Sequence, residues 1–127
     1  MGMDDATLGE ARAEISSGMT RLHRHYYGRG PTKAKTYIDD DLVVVVLEET
    51  FTVAERTLVD RGEVDAIQHI RRRFQQQMAD EFTALVEQAT GRSVRAFMSE
   101  THLEADVSVE IFLLADERTD MSGFEDA

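Results

Sequence analysis

There is no cysteine anywhere in the 127 residues. Disulfides, thiolate metal sites and cysteine nucleophiles are therefore excluded, and the chain suits a reducing compartment. Proline occurs once, at Pro31, where it cannot extend a helix. Long apolar runs are missing too. The longest, Leu42 to Leu47, is far too short to span a bilayer. The first residues, Met1-Gly2-Met3-Asp4-Asp5, lack the basic and apolar regions of a secretory signal. A cytoplasmic protein without a transmembrane segment is expected. Positive charge is also scarce: 14 Lys and Arg stand against 25 Asp and Glu, a formal charge of −11. On average such a surface repels nucleic acid and anionic lipid, so any phosphate contact must come from a local patch.

What is present is enough apolar residue, 42% of the chain, to fill one core in one domain. Ile15, Met19, Leu22 and Tyr26 recur at helical spacing and predict a first helix from about Ala6 to Tyr27, stopped by Gly28. Strands follow at Lys33 to Ile38 and Leu42 to Glu48, joined by Asp39-Asp40-Asp41 as a hairpin turn. Thr52-Val53-Ala54-Glu55 matches a capping box and opens a short helix that runs to about Asp60. A long helix, about Val64 to Ala89, carries Ile67, Ile70, Phe74, Met78, Phe82, Leu85 and Ala89 on one face, with Gly91 as its stop. Two more strands, Ser93 to Thr101 and Ala105 to Leu114, complete the pattern. The order α-β-β-α-α-β-β predicts an α+β domain over residues 6–115. It would hold a four-stranded, mostly antiparallel sheet with the long N-terminal, short and long central helices on one face. Residues 116–127 read as an acidic flexible tail.

Two features suggest a self-associating chain. The long helix should overhang strands of eight residues. The run Leu42-Val43-Val44-Val45-Val46-Leu47 is apolar on both sides, where a half-buried strand would alternate. Phe97 and Phe112 fall out of phase with Val94, Ala96, Val109 and Ile111. A second sheet face carrying Val44, Val46, Phe97, Phe112 and Leu114 is therefore expected, buried in a homodimer.

The segment His25-Tyr26-Tyr27-Gly28-Arg29-Gly30-Pro31 ends a helix and opens a strand. With the acidic turn, the Val-rich strand, Thr52 to Leu58, the Arg-rich long helix and Thr90-Gly91-Arg92, it resembles the MpsC-like family over roughly residues 6 to 115. That family is named for a Na+-translocating, membrane-potential-generating system. The resemblance implies an accessory role beside a membrane transporter, peripheral to the inner membrane, and supplies no catalytic residues.

From Arg21 to Lys35 there are five Arg or Lys, two His and no acidic residue, a local reversal of sign. Arg24, Arg29, Lys33 and Lys35, with Gly28 and Gly30 freeing the backbone, form a candidate anion- or partner-binding corner. The plainer reading is a helix stop and turn whose basic residues suit the helix dipole. A corner that cradles the phosphate of a metabolite or nucleotide is the alternative function. Arg71-Arg72-Arg73 reads as a solvated helix face, with Ile70 and Phe74 in the core. The Asp39–Asp41 turn lacks calcium-loop spacing, and His23, His25, His69 and His102 have no metal-ligand spacing. No serine sits in a nucleophile elbow. No cofactor, no metal and no enzyme activity are expected. Tyr37, Phe97 and Phe112 could form an RNA-stacking platform, but the charge and the missing RNP-type sequence favour packing.

Overall fold

The computed structural model describes residues 4–116. Helix α1 spans Asp5–Tyr27, followed by strands β1, Lys33–Asp39, and β2, Leu42–Glu48. Helices α2, Val53–Asp60, and α3, Val64–Thr90, come next, then β3, Val94–His102, and β4, Val107–Leu114. The four strands form one antiparallel sheet in the order β1-β2-β4-β3. This is the expected α+β architecture. The proposed tail lies, after Asp116, outside the described residues.

Local chemistry sets the boundaries. Asp4 accepts the Thr7 N–H at 2.8 Å and starts α1. Gly28 ends it with φ 77°, a conformation open to glycine, and its N–H donates to the Arg24 carbonyl. The capping box opening α2 is complete. The Glu55 N–H donates to Thr52 Oγ1 at 3.1 Å, and the Thr52 N–H donates to Glu55 Oε1 at 3.0 Å. The Asp39–Leu42 pair closes a two-residue hairpin with Asp40 at φ 54°.

Helix α1 lies on β1, α3 lies on β3, and the two helices pack on each other. The core between helices and sheet holds Ile15 and Met19 of α1, and Met78, Phe82 and Val86 of α3. Val43, Val45, Leu47, Phe112 and Leu114 meet them from the sheet. Gly18 permits the close crossing: a Cβ there would lie 2.6 Å from both terminal carbons of Leu85. Gly18→Val is therefore expected to cost about 1–3 kcal/mol, because the added isopropyl group must displace Leu85 and spread the helices. A urea denaturation midpoint no lower than that of the wild type would refute that close contact.

Three sequence expectations are corrected. Phe97, Phe112 and Leu114 do not share a face with Val44 and Val46. Phe112 and Leu114 are buried under the helices, and Phe97 packs against them, with its ring 4.9 Å from Phe112 and 6.1 Å from Phe82. Register explains this: Val43, already on the core side, pairs with Phe112, and Phe112 pairs with Phe97. Val94 and Ala96, expected on one face, are separated by an irregularity at Arg95. On α3, Ile70 points outward, 42% exposed, and Arg71 is the buried residue.

Candidate functional site

The buried Arg71 organises the end of the domain where the β2–α2 connection meets α3. Its Nε donates to Glu55 Oε2 and its Nη2 to Glu55 Oε1, both at 2.7 Å, a bidentate pair. Nη1 and Nη2 also reach Thr50 Oγ1 and the Thr50 carbonyl, at 3.2 and 3.1 Å. The guanidinium lies 4.1 Å from the Tyr27 ring and 4.9 Å from the Phe51 ring. Arg56 covers Phe51 as well and donates to Asp106 Oδ2 at 3.0 Å. Asp106, itself buried, accepts the Thr50 and Phe51 N–H groups and holds the connection against the β3–β4 turn. Burial alone would raise the Glu55 carboxyl, but the hydrogen bonds from Arg71 and Thr52 outweigh it and hold Glu55 below the usual range.

Two further titratable groups are buried near this network. Burial pushes the Glu110 carboxyl up to about 8; Ser99, its cross-strand neighbour, and the Arg71 charge oppose the shift without cancelling it. Among the described residues Glu110 Oε2 has no hydrogen-bond partner. Burial lowers His23 to about 4, against the bond from its Nδ1 to the Met19 carbonyl at 3.0 Å. Its ring stacks on Phe82. A crevice of about 40 Å3 opens beside the network between α3 and β3, lined by Arg71, Gln75, Ser99 and Thr101 among others. That space admits roughly three waters. It is far too small for a metabolite. The network locks the β2–α2 connection to α3, which explains why Arg71 is inside rather than on a solvated face.

The basic corner is divided by the fold. Arg29 Nη1 donates to the Phe51 carbonyl at 3.1 Å and ties the corner to the network. Gly30 lies against α1, where a Cβ would meet Thr20 Cγ2 at 3.1 Å and the Thr20 carbonyl at 3.2 Å. Arg24 is exposed beside it. Lys33 and Lys35 instead stand on the sheet face turned away from the helices. Lys33 is 3.7 Å from Glu48, and the Lys35 amine is 5.1 Å from the Tyr37 ring centroid. The structure thus gathers Arg24, Gly28, Arg29 and Gly30 at one place and puts Lys33 and Lys35 elsewhere.

Among the described residues that outer sheet face is the broader apolar surface with no helix packed on it. Alternation places Leu42, Val44 and Val46 of β2 and Val107, Val109, Ile111 and Leu113 of β4 on it, none of them fully buried. Tyr37 and Met98, both 48% exposed, flank them on β1 and β3. At strand and residue spacings of about 4.8 and 3.3 Å the face covers on the order of 400 Å2. A second groove, about 330 Å3 and open, runs over Ile70, Arg73 and Phe74 on the outer side of α3.

No helix among the described residues is long and apolar enough to cross a membrane. The chain is similar to the uncharacterized protein YbcI of Bacillus subtilis (strain 168), 26% identical over 110 residues, which cover 86% of this chain and 89% of that protein. No solved structure matches. The family described as the Na+-translocating membrane potential-generating system (MpsC) matches residues 7–116, nearly all of the domain from α1 to the end of β4. By that match this chain belongs to the MpsC family.

Proposed function

We propose that the chain is a non-enzymatic accessory module that works by protein–protein contact beside membrane ion-transport proteins, in the cytoplasm or against the inner membrane. The observation that carries this reading is the apolar outer sheet face, on which no described helix packs. Its apolar centre, Leu42, Val44, Val46, Val107, Val109, Ile111 and Leu113 rimmed by Lys35, Glu48 and Glu100, has the make-up of an interaction site, an apolar patch with a polar rim. The family description supplies the setting, a system that translocates Na+ and generates membrane potential. The polar groups that converge elsewhere, around Arg71, are spent on one another and enclose too little space for a substrate. The phosphate-sensor alternative has less support, because the Gly28 N–H and an Arg29 Nη are engaged within the fold.

The test is made in cells that carry this system. Deleting the chain should diminish the Na+-dependent part of the membrane potential, read with a voltage-sensitive dye. The wild-type chain should restore it, and a folded Val46→Asp, Val109→Asp variant should not. An undiminished potential in the deletion strain would overturn the proposal.

A further inference from the structure

We infer that the occupant of the outer sheet face is a second copy of this chain, related by a two-fold axis running along the strands between β2 and β4. This rests on the reading that the outer face is the interaction surface, and it names the partner. The argument comes from the cross-strand rows. In register, one row on that face reads Lys35, Val46, Val109, Glu100 from β1 to β3. A two-fold axis along the strands exchanges β1 with β3 and β2 with β4. It sets Lys35 of one copy over Glu100 of the other, and Val46 over Val109. That row becomes its own complement.

The neighbouring row behaves in the same way. It reads Tyr37, Val44, Ile111, Met98. The same axis seats Tyr37 over Met98 and Val44 over Ile111. Tyr37 and Met98 are two of the four large hydrophobic side chains most exposed among the described residues, and a thioether against an aromatic ring is a favourable contact. The other two-fold arrangement, with the axis across the strands, stacks β1 on β1. It also reverses the strand direction of one copy and, centred between these two rows, sets Lys33 over Asp39, Lys35 over Tyr37 and Val46 over Val44. Only the first arrangement pairs Lys35 with Glu100, so charge reversal at those two positions separates them. Aligned sheets pack at about −30°, which moves the edge contacts by a few ångströms, within reach of Lys and Glu side chains. Two faces of about 400 Å2 bury about 800 Å2 in all, below the size of stable specific interfaces, so a weak, reversible dimer in the upper micromolar range is expected.

Sedimentation equilibrium of the purified chain across the micromolar range tests the pairing. A reversible dimer is expected. Lys35→Glu and Glu100→Lys each break both symmetry-related ion pairs and should each weaken the dimer by roughly tenfold. The combined variant restores both pairs in reversed sense and should return most of the affinity. Both positions are exposed, so the variants should keep the fold, and circular dichroism checks this. A chain monomeric throughout the range overturns the dimer. A double variant no tighter than either single one overturns the axis. Loss of the Na+-dependent potential in the Val46→Asp, Val109→Asp variant, alongside a strictly monomeric wild type, would overturn this inference while leaving the proposed function standing.

Discussion

Replacing Arg71 with methionine is expected to lower the stability of the domain by about 3–5 kcal/mol, the range for breaking a buried ion pair from one side. The loss comes less from the attraction removed than from what remains. Glu55 keeps its charge in a buried site, and the Thr50 carbonyl and hydroxyl lose their donors. Tyr27 and Phe51 also lose the flat cation between them. Arg71→Lys should rescue little, since an ammonium cannot make the two parallel bonds to Glu55. Glu55→Gln combined with Arg71→Met should recover more than half of the loss. Glutamine retains the capping box with Thr52 and carries no charge that needs a partner. Urea denaturation at one fixed protein concentration, taken as a double-mutant cycle, gives the coupling, expected on the order of 2 kcal/mol. Additive losses would show that the two side chains do not depend on each other.

Why this pair escapes the sequence is instructive. The apolar stripe of α3 runs through Ile67, Phe74, Met78 and Phe82 in either case, and the turn between Ile67 and Phe74 can bring in Ile70 or, one residue on, Arg71. Hydrophobicity alone favours the first. The structure takes the second because α2 presents a carboxylate to the N-terminal half of α3. The signal that could have found it was the capping box, which fixes Glu55 at the start of α2 with its side chain turned back toward Thr50 and Thr52. The elements themselves were legible, since Gly28, Gly91, the capping box and the acidic hairpin turn each impose a boundary through local backbone chemistry. The phase of β4 was not. Val-Ser-Val-Glu-Ile-Phe-Leu-Leu offers apolar residues on both sides, and its small polar ones suggest that Ser108 and Glu110 face water. Pairing with β2 decides otherwise, because Val45 and Leu47 are already under the helices and Glu110 and Ser108 are their partners. The outer face was anticipated through Val44 and Val46. Its remaining members could be named only once that register was known. The basic corner looked like one site because its residues lie close together in the sequence, but β1 alternates, and Lys33 and Lys35 leave by the opposite side from Arg24.

Glu110 makes the domain sensitive to alkaline pH. In the folded chain its carboxyl titrates at about 8, against an ordinary 4.5. Between those values the folded state keeps a proton that the unfolded state releases, so stability from this group is full below about pH 4.5 and falls as pH rises through 8. His23 acts in the other direction. Its pKa is lowered from 6.5 to about 4, so its contribution is full above 6.5 and is lost as pH falls through 4. The two slopes oppose each other between 4.5 and 6.5, and Glu110 acts without that opposition from 6.5 to 8. Maximal stability is therefore expected on the acid side of neutrality, with a decline of a few kcal/mol by about pH 9. Glu110→Gln should flatten that decline and exceed the wild type by a few kcal/mol at about pH 8, while differing little near pH 4.5. The carboxamide keeps the shape, can still meet Ser99, and has no charge to bury. Thermal or urea denaturation of both chains from about pH 5 to about pH 9 reads the difference. Parallel curves would mean that water or a local rearrangement reaches the Glu110 carboxylate and removes the burial penalty. A wild-type decline that survives in Glu110→Gln would assign it to another group, with Tyr27, which burial pushes up to about 12, too high to account for it.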